Sequence, residues 1–280
     1  MEAVVHYPAS FGEIIQGKIK DKDILCSCPI DLFTEVKVFE SKKAKSKYNH
    51  LKSSNFLSNL LTEWGYKDYV KNFDIEIKSN IPEGKGFASS TADLCGVYYS
   101  LLKLFKKEFK EDEFIRNCIN IEPTDSIIFK EMTIFDYKEG KYKRKIGNYC
   151  EFNILVFEGN RIIDTVEFNK RSLPPLSNIE DLGEMLIKAV ENNDIKTIGC
   201  CATKSMIRNE KRLSYPILPL LLRIKDEIGG YGVIGAHSGD ALGIIYEGKL
   251  NMKILDKYSN LIKGYKIYNT KTIKNIDLGV

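Results

Sequence analysis

Long apolar runs are missing from this chain. No stretch reaches the roughly 18 consecutive apolar residues that a helix needs to cross a bilayer, so a membrane-spanning helix is not expected. The opening, MEAVVHYPAS, has neither a basic segment nor a long apolar core, and no secretory leader is expected there. Cysteine occurs, but in a pattern unsuited to its two common structural uses. The seven cysteines are an odd number and none forms a C-x-x-C pair. Cys26 and Cys28 are two apart, and Cys200 and Cys201 are adjacent. These spacings do not suit a zinc site, and the odd count argues against a secreted disulfide framework. Free thiols in a reducing cytoplasm are the expectation.

A strong charge of one sign is missing too. The net charge of +4 comes from 42 basic and 38 acidic side chains, which points to neither nucleic acid nor a membrane surface as partner. The densest basic run, SKKAKSK at Ser41–Lys47, lacks interleaved arginines or aromatics and reads as a solvated loop. Internal repeats and low-complexity tracts are absent. What is present, 43% hydrophobic and 29% charged residues over 280 positions, is a globular chain able to bury a substantial core.

Periodicity locates the elements. From Asp23 to Phe39 apolar residues fall mainly on even positions (Ile24, Cys26, Cys28, Ile30, Leu32, Val36, Val38), the period of half-buried strands. Phe56, Leu57, Leu60, Leu61 and Trp64 have helical spacing and stop at Gly65. In FDIEIK, Phe73, Ile75 and Ile77 share one strand face and Asp74, Glu76 and Lys78 the other. Leu94, Cys95, Tyr98, Leu101, Leu102 and Phe105 predict a helix, with Ser89 and Ser90 where an N-cap is wanted. EFNILVFEG and RIIDTVEF read as a hairpin around Gly159–Asn160. The Pro174–Pro175 pair in RSLPPLSN is the best boundary candidate, dividing residues 1–170 from 171–280. Beyond it the spacing predicts helices over Ile179–Asn192, Ile195–Glu210 and Leu218–Ile228. Strands around YGVIGA and ALGIIY follow, then a last helix and strand. This irregular mixture indicates an α+β fold over a regular βαβ array.

The stretch SNIPEGKGFASSTADLC, Ser79 to Cys95, sets a glycine-rich turn between a strand and a helix. Unpaired N–H groups at a helix start, with the helix dipole behind them, make an anion site. Gly84 and Gly86 allow close backbone approach, Ser89 and Ser90 offer hydroxyls to phosphate or magnesium, and Lys85 offers a point charge. The common motifs do not fit. There is no G-x-x-x-x-G-K-[ST], so this is not a P-loop. Gly84-x-Gly86-x-x-Ser89 lacks the third glycine of a dinucleotide fingerprint. A plain flexible turn before a core helix is the bland alternative.

The fuller pattern Pro82-x-x-x-Gly86-Phe87-Ala88-Ser89-Ser90-Thr91-Ala92 resembles the P-x-x-x-G-L-G-S-S-A-A phosphate loop of the GHMP kinase family. That family is named for galactokinase, homoserine kinase, mevalonate kinase and phosphomevalonate kinase. Phe87, Ala88 and Thr91 depart from the usual Leu, Gly and Ala. PASFGEIIQG (Pro8–Gly17) is similar to the first family motif in the form carried by the L-threonine kinases of cobalamin biosynthesis. NIEPTDSIIF (Asn120–Phe129) is similar to the same branch. GVIGAHSGDALGIIY (Gly232–Tyr246) resembles the third motif, a glycine-rich turn between strands.

The resemblance implies a two-domain GHMP kinase fold. Its N-terminal ATP-binding domain (1–170) would be ribosomal protein S5 domain 2-like and its C-terminal domain (171–280) ferredoxin-like, with the site between them. ATP would lie on Pro82, Gly84, Lys85, Gly86, Phe87, Ala88, Ser89, Ser90, Thr91 and Ala92. Ser90 and Glu122 would hold Mg2+, with Asp125 and Lys85 as the catalytic pair. Asp125 would be the base that accepts a hydroxyl proton. Glu13, Gln16, His237, Ser238 and Gly239 are the expected substrate contacts. Ser10 stands where many relatives place a lysine, and Gln16 where they have a glutamate. His237 and Asp240 also occupy positions where most relatives differ. Asp31, in CPIDLFTEV, reads as a strand-face carboxylate. The implied activity is ATP-dependent phosphorylation of a small alcohol, L-threonine in that branch, in the cytoplasm. Homoserine is the nearest competing substrate. Other readings are a non-catalytic metabolite binder, or an oxidoreductase, for which the charged FKKEFKED around Glu108 fails to supply a second strand.

Overall fold

The computed structural model describes residues 1–162 and 172–276. The chain opens with strands β1 (Glu2–Ser10) and β2 (Ile15–Ile19), and the alternating segments become β3 (Lys22–Cys26), β4 (Pro29–Glu40) and β5 (Phe73–Ser79). Later in the chain come β6 (Met132–Asp136), β7 (Lys143–Gly147), β8 (Asn153–Glu158), β9 (Gly232–Gly235), β10 (Ala241–Tyr246) and β11 (Lys266–Lys271). They form three sheets, ordered β1-β4-β5, β2-β3-β6-β7 and β11-β8-β10-β9, with antiparallel neighbours throughout.

The helices are α1 (Leu51–Glu63), α2 (Ser89–Phe105), α3 (Glu111–Ile121), α4 (Glu180–Glu191), α5 (Ile195–Asn209), α6 (Leu218–Ile228) and the single turn α7 (Ser259–Ile262). The helices read from spacing are thus present to within a few residues at each end. This mixed architecture is α+β.

Helix α2 is buried along most of its length and lies on β1 and β4. Gly96 makes that approach close, because a Cβ there would strike Val36. Strand β8 separates two cores. Its Ile154 and Val156 face the larger one, and Leu155 and Phe157 a second one shared with α6. The period of two in NILVFE therefore buries both faces, as a central strand should.

Two expectations fail locally. Asp74 was expected beside Glu76 and Lys78 on the outer face, yet it is buried. Its carboxylate accepts four backbone N–H groups: Lys45 (2.8 Å), Ser46 (3.1 Å), Lys47 (2.7 Å) and Ile75 (2.9 Å). Burial alone would raise its pKa, but these donors outweigh it and hold the pKa below the ordinary value. The basic run is also not wholly solvated. Lys47 is buried and donates to the carbonyls of Val70 (2.7 Å) and Phe73 (2.9 Å).

The expected hairpin takes another form in its first arm. Strand β8 pairs with β10 and β11, and most of the second arm, Arg161–Phe168, lies outside the described residues. Asp31 behaves as a strand-face carboxylate, accepting from Thr270 Oγ1 and from the Lys271 N–H (3.1 Å) of β11. The cysteines are free, six of them buried. Among the described residues no helix is long and apolar enough to cross a membrane.

Candidate active site

The glycine-rich turn takes a shape that only small residues allow. Gly84 and Gly86 have φ of +66° and +89°, and Ala88 has φ of +53°. A side chain on Gly86 would collide with Ala236 of the turn between β9 and β10. The loop is stitched to the end of β1 by Ser10 N–H to the Phe87 carbonyl (3.1 Å) and Gly12 N–H to the Gly86 carbonyl (3.1 Å). From the other side, the Asp240 N–H donates to the Lys85 carbonyl (3.1 Å). All three glycine-bearing motifs therefore meet at one place.

Ser89 and Ser90 do not cap α2. The N-cap position is Ala88, with no side-chain hydrogen bond, and the serines are the first two helical residues. A left-handed Ala88 turns the chain into the helix without offering a side-chain acceptor, so among the described residues nothing takes the N–H groups of Ser89, Ser90 and Thr91. That is the physical requirement for an anion site at a helix start.

In front of this helix end lies a cleft of about 450 Å³. On one wall stand Ser89, Ser90 and Thr91; on another, Glu122 and Asp125; on the third, Glu13, Gln16, His237 and Ser238. Ser90 Oγ donates to Glu122 Oε1, and Lys52 Nζ reaches Glu122 Oε2 at 2.6 Å. Asp125 Oδ1 accepts from Ser27 Oγ and from the Ile127 N–H (3.0 Å), while among the described residues Oδ2 accepts only from Ser10 Oγ (3.2 Å). Thr91 Oγ1 takes the Asp125 N–H at 3.3 Å. Burial, then the nearby Glu13 carboxylate, raises the pKa of Asp125 to about 6, against the opposing pull of Ser27, the Ile127 N–H and Ser10. Ser10 thus meets Asp125 as a neutral donor.

Glu13 and His237 are partners. Glu13 Oε2 accepts from the His237 N–H (2.9 Å) and pairs with Nδ1 at 2.8 Å. Both are nearly buried at the cleft wall. Gly239 is needed for a different reason, since a Cβ there would run into the Lys85 carbonyl. Its own carbonyl accepts from Tyr215 Oη at 2.8 Å.

The cleft brings together Gly84, Gly86, Phe87, Ala88, Ser89, Ser90, Thr91, Glu122, Asp125, Glu13, Gln16, His237 and Ser238. It leaves Pro82, Lys85, Ala92 and Gly239 out of its lining. Lys85 is the instructive one. Its ammonium donates to the carbonyls of Gly159 (2.7 Å) and Arg161 (2.6 Å), and its side chain is buried there. Its charge ties down a neighbouring segment. Arg161 in turn pairs with Asp240 (Nε to Oδ1, 2.7 Å; N–H to Oδ2, 2.7 Å), which gives Asp240 a structural partner.

Sequence reading missed Lys52, Ser27 and Arg212. Lys52 sits in the first turn of α1 with no motif around it. Ser27 lies between two cysteines of a strand pair. Arg212, three residues past α5 in the charged RNEKR, looks solvated in sequence but lines the cleft, with Nη1 on the Pro174 carbonyl.

The model of the GHMP kinases N terminal domain matches residues 49–129, which hold the glycine-rich turn, α2, Glu122 and Asp125. Over those residues the chain is similar to the GHMP kinases. An L-threonine kinase of Citrobacter freundii is 28% identical over 253 residues, covering 88% of this chain and 86% of that protein. An L-threonine kinase of Salmonella typhimurium is 27% identical over 253 residues, with 88% and 84% covered. The crystal structure of a homoserine kinase from Cytophaga hutchinsonii superposes with a TM-score of 0.72 at 13% identity, covering 99% of this chain and 96% of that one. The fold is therefore that of the GHMP kinases. Within it, the contact of the Ser90 hydroxyl with the Glu122 carboxylate supplies hard oxygen donors of the kind magnesium takes. Among the described residues no cluster of three or more His, Cys, Asp or Glu forms. A cation here would thus rely on this pair and on the oxygens of a bound phosphate.

Proposed function

We propose that this protein is an L-threonine kinase that transfers the γ-phosphoryl group of ATP to the threonine hydroxyl, giving O-phospho-L-threonine and ADP. One observation carries the chemistry: Ser90, Glu122 and Asp125 converge on one cleft under an uncapped helix start. The two L-threonine kinases that match most of the chain support the choice of alcohol.

In this reading the triphosphate lies along the glycine-rich turn, its charge met by the open N–H groups of α2 and by Lys52. Ser90 and Glu122 would hold Mg2+, which when bound neutralises phosphate charge. The substrate hydroxyl faces Asp125. Oδ1 is already engaged by two donors and Oδ2 by a single 3.2 Å contact, so Oδ2 takes the proton. The new O–P bond forms as the bond from phosphorus to the bridging oxygen breaks, and the electron pair leaves with ADP. Positioning and charge neutralisation supply most of the acceleration in such transfers. Glu13 Oε1 and Gln16 offer acceptors for the ammonium of an amino acid, and Arg212 a guanidinium for its carboxylate. Lys85 acts by holding the phosphate loop in place. The division at Pro174–Pro175, a cytoplasmic setting and supply of phosphothreonine to cobalamin biosynthesis belong to the same proposal.

The test is ADP release from Mg-ATP with L-threonine, L-serine, L-homoserine, mevalonate and galactose. Turnover with L-threonine well above the others is expected. Preference for homoserine would keep the kinase and discard the substrate, a distinction of about 1–3 kcal/mol in a pocket. ATP binding without any turnover would leave a metabolite binder of the same fold.

A further inference from the structure

Helix α5 carries no motif residue, yet two of its side chains hold both peptide groups of Gln16. The Gln16 N–H donates to Ser205 Oγ at 2.9 Å, and the Gln16 carbonyl accepts from Asn209 Nδ2 at 2.6 Å. Ser205 and Asn209 are four residues apart and so lie on one helix face. Strand β2 is at the edge of its sheet, and at Gln16 these side chains stand in for a neighbouring strand.

Ser205 reaches further. It is fully buried, and its hydroxyl lies 3.3 Å from His237 Nε2. His237 Nδ1 lies 2.8 Å from Glu13 Oε2. An ionised carboxylate only accepts, so Nδ1 carries a proton. In the neutral ring Nε2 is then an acceptor. Ser205 Oγ already receives the Gln16 N–H, which leaves its own hydrogen for Nε2. With the ring neutral, a single directed chain runs from Gln16 N–H through Ser205 and His237 to Glu13, with every donor matched to an acceptor. Glu13 Oε2 takes both the ring and the backbone N–H of His237, so Oε1 is the oxygen left for a ligand.

We propose that Ser205 is a positioning residue for the amino-acid end of the cleft. It fixes the ring of His237 and, through it, the direction of Glu13 Oε1, while its bond to Gln16 sets the neighbouring contact. This rests on the function proposed above for the identity of the ligand, but not for the state of the ring.

Two measurements test it. The protein has three histidines, so ¹⁵N-histidine labelling gives few signals. In the wild type the His237 pair is expected to show a protonated Nδ1 and a hydrogen-bonded Nε2. In Ser205→Ala the Nε2 resonance moves while those of His6 and His50 stay. Unchanged His237 resonances overturn the proposal, whether or not the protein turns over threonine. In kinetics, Ser205→Ala is expected to raise KM for L-threonine by about three- to tenfold, the loss of a hydrogen bond, and to leave KM for ATP within about twofold. The same substitution in a His237→Gln background has a smaller effect than in the wild type, because the path through the ring is already lost and only the Gln16 contact remains to be broken. An equal rise in both KM values, or an undiminished effect in that background, shows a merely structural serine and overturns it. If Ser205→Ala does not fold, Ser205→Cys keeps the volume with a weaker hydrogen-bonding group and is read by the same two criteria. A wild type inactive on every amino acid refutes the function reading, and the ring signals then decide the role of Ser205.

Discussion

The hydroxyl of Ser90, in the first turn of α2, donates to the carboxylate of Glu122, 32 residues later in the chain. Glu122 also carries the ammonium of Lys52 at 2.6 Å. Its two oxygens therefore face two different partners, and only one of these, the hydroxyl, is neutral. A cation entering between Ser90 and Glu122 would replace that hydrogen bond without displacing the lysine.

Ser90→Ala and Glu122→Gln should each lower kcat by about 10²–10³-fold, the scale of losing one electrostatic group aimed at developing charge. Titration with magnesium checks the assignment: both variants should need more metal for half-maximal rate. An unchanged magnesium requirement would remove this pair from the metal site.

The pH profile should report Asp125. Its pKa is raised to about 6 by burial and then by Glu13, and a base must be ionised to work. The rate should hold above that value and fall as pH drops through it. Asp125→Asn should abolish the acid limb and slow turnover by about 10²–10⁴-fold. Ser27→Ala removes a donor that favours the ionised form, so the limb should move to higher pH.

Lys85→Met should act on stability more than on ATP affinity, since the ammonium is bonded to the carbonyls of Gly159 and Arg161. A lowered melting temperature with KM for ATP changed less than about threefold is the expected result for a buried side chain whose partners are lost. A large rise in KM for ATP with unchanged melting would return Lys85 to phosphate binding.

Asp74→Ala should destabilise the protein by about 1–3 kcal/mol or more, because four N–H groups lose a charged acceptor. The pKa of Asp74 is lowered in the folded state. Its contribution is therefore present above the unfolded carboxylate pKa of about 3.9 and lost as pH falls through the folded value. Chemical denaturation of wild type and variant should converge at acid pH.

Much of the fold was legible because its elements have clear periods. Helices α4, α5 and α6 carry apolar stripes at helical spacing, and β3 and β4 alternate. Asp74 was misplaced for a definable reason. Alternation says which face a side chain takes, but not whether the loop at Lys45–Lys47 will fold back over that face and bring N–H donors to it. The serines at the start of α2 were misread in the same way. A capping serine and a first-turn serine look alike in sequence, and only the left-handed backbone of Ala88 separates them.

The sequence by itself determined the chemistry on offer: small residues where a backbone must approach a phosphate, hydroxyls at a helix start, and Glu122 and Asp125 in one short loop. These follow from local rules of conformation and charge that act within a few residues. The tertiary structure alone decided which of those groups share a cleft. It drew Lys85 away onto two carbonyls, brought in Lys52 and Arg212 without a motif to announce them, and joined Glu13 to His237 across 224 residues. The reason is physical: a buried polar group must find its partner wherever the packed core brings one within reach, and sequence distance has no part in that choice.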